Sequence, residues 1–255
     1  MTGNSAAGGG IKSDETLFDL VELLRELDGA GVTELADRLG IAKSTVHGHL
    51  TTLRERGYVV KQSGQYALGL RFFEYGQYVR SRLEIVQSGT FAVDRLEAET
   101  GEMVWLLSYE DGKAVYVYGR GGDNDIDINT ILGTRIHMHY NSGGKAILAH
   151  LPESEVLDIV DNHGLPSRTD HTITDPDRLL AELEAIREQG YALNRSEDLD
   201  GIHAVGVPLL VDGEVQGALS VAGPAHRMPK ERCEGEVLDR LRAATNDIDL
   251  TLAYR

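Results

Sequence analysis

Residues 43–60 read KSTVHGHLTTLRERGYVV, and their apolar positions predict a helix followed by an extended segment. Val46, Leu50 and Leu53 recur at the spacing of one buried helix face, and Gly57 ends the pattern. The remaining side chains of the helix are short and polar or basic. They must therefore face outward, where they form a row of hydrogen-bonding groups.

Two further helices precede this segment, and a hairpin follows it. Residues 14–28 repeat apolar side chains every three or four positions, and Thr33 can cap a short helix at 34–39. Two short extended runs, 58–61 and 65–68, flank a turn. Three helices followed by a small hairpin predict a winged helix-turn-helix.

The third helix of such a unit lies in the major groove of DNA, where its side chains reach base edges and phosphates. Lys61, with two glutamines nearby, gives the hairpin the chemistry to join that contact. An ordinary solvated helix face is the alternative explanation of these polar residues. We predict DNA contacts from the third helix and the hairpin by Lys43, Ser44, Thr45, His47, His49, Thr52, Arg54 and Lys61.

The charge of the chain is unevenly distributed. Its 255 residues carry a formal net charge of −16, which taken alone argues against a nucleic-acid partner. Residues 1–80 hold 9 Lys and Arg against 10 Asp and Glu, whereas residues 81–255 hold 16 against 31. The N-terminal part is therefore nearly neutral on an otherwise acidic body. Such a distribution suits a DNA-binding protein in a very salty cytoplasm, where carboxylates keep the surface hydrated.

The composition fits an ordinary globular protein, with 41% hydrophobic residues. The N-terminus lacks the charged start and apolar run of a signal peptide, and no stretch reaches the roughly 18 apolar residues that cross a bilayer. We therefore expect a cytoplasmic protein without a membrane partner. Cys233 is the only cysteine, which excludes an intramolecular disulfide and a four-thiolate zinc site.

The rest of the chain alternates helical and extended patterns, which predicts an α+β protein. Residues 70–100 are predicted to be largely helical, with an apolar stripe that should pack on a partner. Strands are predicted at 103–107, 114–118, 204–211 and 215–222. Helices are predicted at 143–150, from beyond Pro152 to 160, at 179–189 and at 231–252. The predicted domains are a disordered tail at 1–12, a winged helix-turn-helix at 13–70, a connecting and dimerisation helix at 71–100 and a C-terminal domain at 101–255.

Short motifs follow one another in a recognisable order. The N-terminal part contains KSTVH (43–47), LRERGYV (53–59) and YALGL (66–70). The second half contains GGKAILA (143–149), GYA (190–192), Glu197 with Gly201, VGVP (205–208) and LSVAGP (219–224). Together, over about residues 14–250, they resemble the DNA-binding and effector-binding domains of the IclR family of transcription regulators. With the acidic composition, the resemblance suggests a salt-adapted archaeal member.

The resemblance implies a GAF-like effector domain, with a mainly antiparallel sheet flanked by helices, and a homodimer or homotetramer on palindromic double-stranded operators. It also implies a small-molecule effector, which we expect to be a carboxylate or a sugar-derived acid that controls a catabolic pathway. An exposed helix start at Gly143-Gly144 would offer N–H groups to such an anion. The effector-binding residues carried over from the family are Asn141, Ser142, Gly143, Gly144, Asn194, Glu197, His203, Ala204 and Ser220.

This sequence departs from the family pattern at two places. Gly48 stands where relatives often have an arginine, which removes an expected phosphate contact and costs the helix about 1 kcal/mol relative to alanine. Ala222 stands where many relatives have a second serine. The first change predicts modest DNA affinity, and the second means that the effector's identity cannot be inherited.

The alternatives to a DNA-binding regulator are a zinc-binding protein, an enzyme and a module that contacts only protein. His137 and His139 alternate along an expected strand, and with His203 they could hold zinc, although no fixed spacing supports a metal. Neither a nucleophile elbow nor a kinase signature is present, which argues against an enzyme. A helix-turn-helix that contacts only protein is the third alternative. We expect neither a metal nor another cofactor.

Overall fold

The computed structural model describes residues 10–122 and 128–253, which belong to two compact units, Met1–Val79 and Arg80–Arg255. Residues 1–9 of the expected N-terminal tail lie outside the described residues, and Lys12 already begins the first helix. Within the described ranges, no helix is long and apolar enough to cross a membrane.

The first unit contains the three helices and the hairpin that the sequence predicts. Leu20, Leu35, Val46 and Leu50 are completely buried between the helices, and Tyr66 of the hairpin packs into the same core. Burial of these side chains is the main force that holds the short helices together. The elements are α1 (Lys12–Glu26), α2 (Val32–Leu39), α3 (Lys43–Glu55), β1 (Val59–Gln62) and β2 (Gln65–Leu68).

The start of α2 differs from the prediction. Gly31 is the residue that precedes the helix, no side chain caps it, and Thr33 lies inside the first turn. Val32 is already helical and packs against the core of the unit. Tertiary packing thus overrides the capping preference of threonine at this position.

The segment predicted as one connecting helix consists of two helices. They are α4 (Arg71–Ser81) and α5 (Glu84–Thr100), and Leu83 between them has an extended backbone. Both helices carry apolar residues every three or four positions, so periodicity alone does not reveal the break. None of the residues of α4 is buried, whereas α5 buries one face that includes Val86 and Val93.

A six-stranded antiparallel sheet forms the centre of the second unit, in the order β5-β4-β3-β8-β7-β6. Both predicted hairpins are present in it, so the α+β prediction is confirmed. The strands are β3 (Met103–Glu110), β4 (Lys113–Arg120), β5 (Arg135–His137), β6 (Ala192–Arg195), β7 (Ile202–Val211) and β8 (Glu214–Pro224).

Helices cover both faces of this sheet. One face, which includes Trp105, Ala204 and Ala218, packs against α6 (Ser142–Leu148), α7 (Glu153–His163) and α8 (Pro176–Gln189). The opposite face, which includes Val205 and Leu219, packs against α5 and the C-terminal helix. That helix begins as α9 (Lys230–Arg232), passes through a π turn at Cys233–Val237 and continues as α10 (Leu238–Ala253).

Candidate DNA-recognition helix and effector site

The predicted DNA-contacting residues lie along the outer face of α3 and on β1. Lys43, Ser44, Thr45, His47, Thr52 and Arg54 are exposed, His49 is half-buried, and Lys61 on β1 is exposed with its Nζ 5.0 Å from the centre of the Tyr66 ring. The hydroxyl of Thr52 donates to the carbonyl of Gly48 at 3.2 Å, so its lone pairs point away from the helix as acceptors. The outer face of α3 therefore presents mixed donors and acceptors with few charges.

Gly48 is exposed on the same face of α3. A Cβ atom added there would meet nothing within 4 Å. Packing therefore does not require a glycine at this position, and the absence of the family's arginine is not imposed by the fold.

An arginine that the sequence analysis did not single out ties the start of α4 to the end of α3. Arg71 donates from Nη1 to the carbonyl of Arg56 at 2.5 Å, and its guanidinium lies 5.3 Å from the centre of the Tyr58 ring. The rings of Tyr58 and Tyr75 stack with their centres 5.9 Å apart. These contacts fix the direction in which α4 leaves the helix-turn-helix.

Most of the predicted effector residues come together where α6 packs on the sheet. The side chain of Asn141 donates to the Tyr116 hydroxyl at 2.9 Å, and the hydroxyls of Ser142 and Ser220 lie 2.8 Å apart. Asn194 donates from Nδ2 to the Tyr140 carbonyl at 2.6 Å. All of these side chains are buried, and burial raises the pKa of the Tyr116 hydroxyl. The site is a polar network inside an apolar core.

The glycines at the start of α6 have a different role from the predicted one. Ser142, Gly143 and Gly144 are buried, and the N–H of Gly144 donates to Oδ1 of Asn141 at 3.2 Å, so an exposed helix start is wrong. A Cβ added at Gly144 would lie 2.5 Å from the Met138 carbonyl oxygen. The glycines are required for close packing of main chain on main chain.

A buried ion pair lies within this network. Nζ of Lys145 is 2.9 and 2.7 Å from the two carboxylate oxygens of Glu197 and 3.1 Å from Oε1 of Glu182. The Lys145 side chain is completely buried, and Glu197 also accepts the N–H of Arg195. Burial raises the pKa of the Glu197 carboxyl, although Lys145 opposes that shift. The carboxylate of Glu197 is thus occupied by Lys145.

His203 does not join the other predicted effector residues. It lies on β7 next to Ala204, but neighbouring residues of a strand point to opposite faces of a sheet. Ala204 faces α6, whereas Nδ1 of His203 lies 3.0 Å from the carbonyl of Met228, which belongs to the core on the opposite face. His203 therefore lies on the face of the sheet opposite the other predicted effector residues.

The three histidines considered as zinc ligands do not converge: the rings of His137 and His139 lie 5.6 Å apart, but His203 is on the opposite face of the sheet. His137 ends β5, whereas His139 lies in a 3₁₀ turn at Met138–Tyr140, so the two do not alternate along one strand. His203 lies across the sheet. Throughout residues 10–122 and 128–253, no group of three or more histidine, cysteine or acidic side chains is arranged to hold a metal ion.

Comparison with known proteins identifies both units. The model of the IclR helix-turn-helix domain matches residues 16–63, and that of the bacterial transcriptional regulator IclR C-terminal domain matches residues 77–250. The chain belongs to the IclR family. This regulator is 30% identical to a probable HTH-type transcriptional regulator ArcR of Halobacterium salinarum, over 95% of this chain and 94% of that protein.

Solved structures of family members share its fold. The Thermotoga maritima IclR has a TM-score of 0.78 at 30% identity, over 94% of this chain and 97% of that one. An IclR homologue from Microbacterium hydrocarbonoxydans, complexed with 4-hydroxybenzoate, has a TM-score of 0.78 at 22% identity, over 94% of this chain and 100% of that one. The protein is thus a DNA-binding transcription regulator with an effector-binding domain, and not an enzyme.

In this IclR-family regulator, the sequence analysis did not predict the basic member of the buried polar network. Lys145 lies in the GGKAILA motif, where it is the only charged residue among small and apolar ones. That isolation is a usable signal, because a lysine is buried only when it is paired. Its partner Glu197 lies 52 residues further along the chain, and local sequence cannot reveal the pairing.

We expect acid to destabilise the regulator through His139, which is only 2% exposed. Burial lowers the pKa of His139 to about 4, whereas a histidine in an unfolded chain has a pKa of about 6.5. As the pH falls between these values, the unfolded chain takes up a proton that the folded one does not. The free energy of unfolding should drop by about 3 kcal/mol across that window.

The measurement is denaturant unfolding at pH 7 and near pH 4.5, followed by fluorescence of Trp105, the only tryptophan. Carboxylates also titrate in this window, so wild type is compared with His139→Gln, which keeps a donor for the Pro166 carbonyl that Nε2 of His139 contacts. The variant should lose less stability in acid than the wild type. Equal losses would show that His139 does not contribute.

Proposed function

We propose that this regulator binds a palindromic operator as a homodimer or homotetramer and that a small acid, a carboxylate or sugar-derived acid, modulates the binding. The genes it controls would encode a catabolic pathway. The observation that carries the proposal is the buried polar network of Asn141, Ser142, Asn194 and Ser220 on the sheet face that α6 covers. Without a ligand these groups hydrogen-bond to one another and to Tyr116 and Tyr140, and a polar ligand that enters would exchange those bonds for its own.

The charge of the polar network influences which class of small acid it can bind. The buried ammonium of Lys145 is already paired with Glu197 and Glu182, so an entering carboxylate meets no unpaired cation there. The donors that can turn to it from their present partners are hydroxyls and amides, which suit an acid that also carries hydroxyl groups. The Microbacterium hydrocarbonoxydans homologue is complexed with 4-hydroxybenzoate, an acid of that kind. Ala222 supplies no hydroxyl, so the preferred acid should differ from that of relatives with a second serine.

Self-association is supported by the apolar surface of α4. Phe73, Tyr78 and Val79 are each more than half exposed on this helix, which buries none of its own residues. Exposed aromatic and apolar side chains on one helix are typical of a protein interface. A twofold-symmetric pair of recognition helices would account for a palindromic operator.

The proposal is tested by selecting DNA from a random duplex library with the full-length protein at molar KCl. A palindrome should be enriched, and hydroxy acids added to the selected duplex should change its affinity. Ser220→Ala should blunt that response, whereas His203→Ala, on the other face of the sheet, should leave it unchanged. No enriched sequence at any salt would overturn the operator, and equal effects of the two variants would overturn the effector site.

A further inference from the structure

A lysine and a histidine form a direct contact at the edge of the sheet, outside the network described above. Lys113 begins β4 and His137 ends β5, and the two residues are directly opposite each other in the antiparallel register. Nζ of Lys113 lies 2.8 Å from Nε2 of His137. Side chains opposite each other in neighbouring strands are close enough to interact, so the register itself creates the pair.

The protonation state of Lys113 decides the direction of this hydrogen bond. A lysine ammonium can only donate, so in that state Nε2 of His137 is the acceptor and carries the lone pair. Burial, Lys113 and His163 lower the pKa of His137, and the main-chain carbonyl of Gly164 opposes that shift. His137 is therefore a neutral imidazole next to the amine.

The surroundings of Lys113 favour the neutral form of its amine. Burial lowers the pKa of Lys113, and the nearby Arg135 lowers it further against a smaller opposing effect of Asp111. Arg135 binds the neighbouring carboxylates, at 2.9 Å from Glu110 and 3.5 Å from Asp111. His163, whose ring packs against Gly112, adds no negative charge.

The other lysines differ from Lys113 in the groups that their ammonium contacts. Of the six lysines in the chain, Lys145 and Lys230 are paired with carboxylates. Among the residues that the structure describes, Lys113 is the only lysine whose ammonium contacts an imidazole. Its side chain is half-buried, so it is partly desolvated but still open to a small reagent.

We propose that Lys113 is a nucleophilic lysine that forms a reversible imine with small aldehydes or keto compounds, with His137 as its general base. His137 takes a proton from the ammonium, and the lone pair of Nζ attacks the carbonyl carbon to give a carbinolamine. The proton returns to the hydroxyl group, the carbon–oxygen bond breaks and water leaves. One ammonium group and one carbonyl compound thus give one protonated imine and one water, His137 ends neutral, and no oxidation state changes.

The pair is also connected to the candidate effector network. The main-chain N–H of His137 donates to the Tyr140 hydroxyl at 3.2 Å, and the Tyr140 carbonyl accepts from Asn194. An adduct on Lys113 that displaced His137 would therefore disturb the hydrogen bonds of Tyr140 and, through them, the position of Asn194. This chemistry does not depend on the proposed operator or acid, so it can be tested without either.

The test is reductive trapping of the full-length protein with limiting acetaldehyde and cyanoborohydride, followed by mass spectrometry of the ethylated peptides. Near neutral pH, Lys113 should be ethylated about tenfold faster than exposed Lys230 for each unit by which its pKa is the lower. The advantage should shrink as the pH approaches the ordinary pKa of lysine. Equal rates at Lys113 and Lys230 would overturn the proposal.

His137→Gln is the matched variant, because the glutamine oxygen still accepts from Lys113 but cannot take up its proton. In this variant the rate at Lys113 should fall because the base is lost, whereas the advantage over Lys230 that comes from burial and Arg135 should remain. A thermal melt checks that the variant is folded, and His137→Asn is the substitute if it is not. An unchanged rate and profile at Lys113 in a folded variant would overturn the role of His137.

Discussion

Replacing Lys145 with methionine is expected to destabilise the effector-binding unit by about 3–5 kcal/mol. The Lys145 side chain is completely buried, and the Glu197 side chain beside it is only 11% exposed. Methionine fills a similar volume but leaves the Glu197 carboxylate without its cation in a place where water cannot replace it. The cost arises from that unpaired charge and exceeds what the ion pair itself contributes.

Denaturant unfolding followed by Trp105 fluorescence measures the loss, since Trp105 lies on β3 of this unit. Glu182→Gln is the matched control, because Glu182 is 38% exposed and its contact with Lys145 should contribute at most about 1 kcal/mol. The double variant Lys145→Met with Glu197→Gln should regain most of the stability. A double variant no more stable than Lys145→Met alone would contradict the unpaired-charge explanation.

We expect the stability loss of Lys145→Met to depend on pH. Burial raises the pKa of Glu197 in the wild type, and removing Lys145 takes away the main opposing effect, so the pKa should rise further. A carboxyl with a raised pKa binds a proton in the folded state at a pH where the unfolded chain does not. The stability deficit of Lys145→Met should therefore be largest at neutral pH and shrink as the pH falls toward the ordinary range of glutamate.

The elements that the sequence predicts well are those whose burial is periodic. In the first unit, Val46 and Leu50 have the spacing of one buried face of α3, and both are fully buried together with Leu20 of α1. The period-two pattern of β7 and β8 was equally informative. The alternation along β7 places His203 on the opposite face from Ala204, whereas the family motif groups the two residues together.

Other features depend on contacts that are distant in sequence. The close packing of Gly144 on Met138 and of Gly206 on Ser142 explains why these positions have no side chain, but the crowding exists only in the folded chain. The sequence alone therefore does not reveal that the helix start at Gly143 and Gly144 is buried. The break between α4 and α5 at Leu83 is a further case, because no proline or glycine marks it.

Replacing both Lys43 and Thr45 with alanine is expected to weaken operator binding by about 100-fold or more. Both side chains are exposed on the first turn of α3, where helix-turn-helix proteins reach bases and phosphates. A good base contact contributes about 1–3 kcal/mol, and loss of a phosphate contact lowers the salt dependence of binding by about one unit of slope. Neither residue is part of the core, so the free energy of unfolding should hardly change.

Affinity for the selected duplex, measured across a range of KCl concentrations, tests this expectation. The matched control is Lys12→Ala with Thr16→Ala, which removes the same two residue types from α1 of the same unit, where the Thr16 hydroxyl donates to the Lys12 carbonyl. If α3 reads the operator, only the Lys43 and Thr45 variant should lose binding, and discrimination against mutated operators should fall with it. At molar salt, charges are screened beyond about 3 Å, so any specificity that survives there must come from short polar contacts such as that of Thr45. Equal losses in the two variants would mean that affinity comes from general charge, and α3 would no longer be the reading helix.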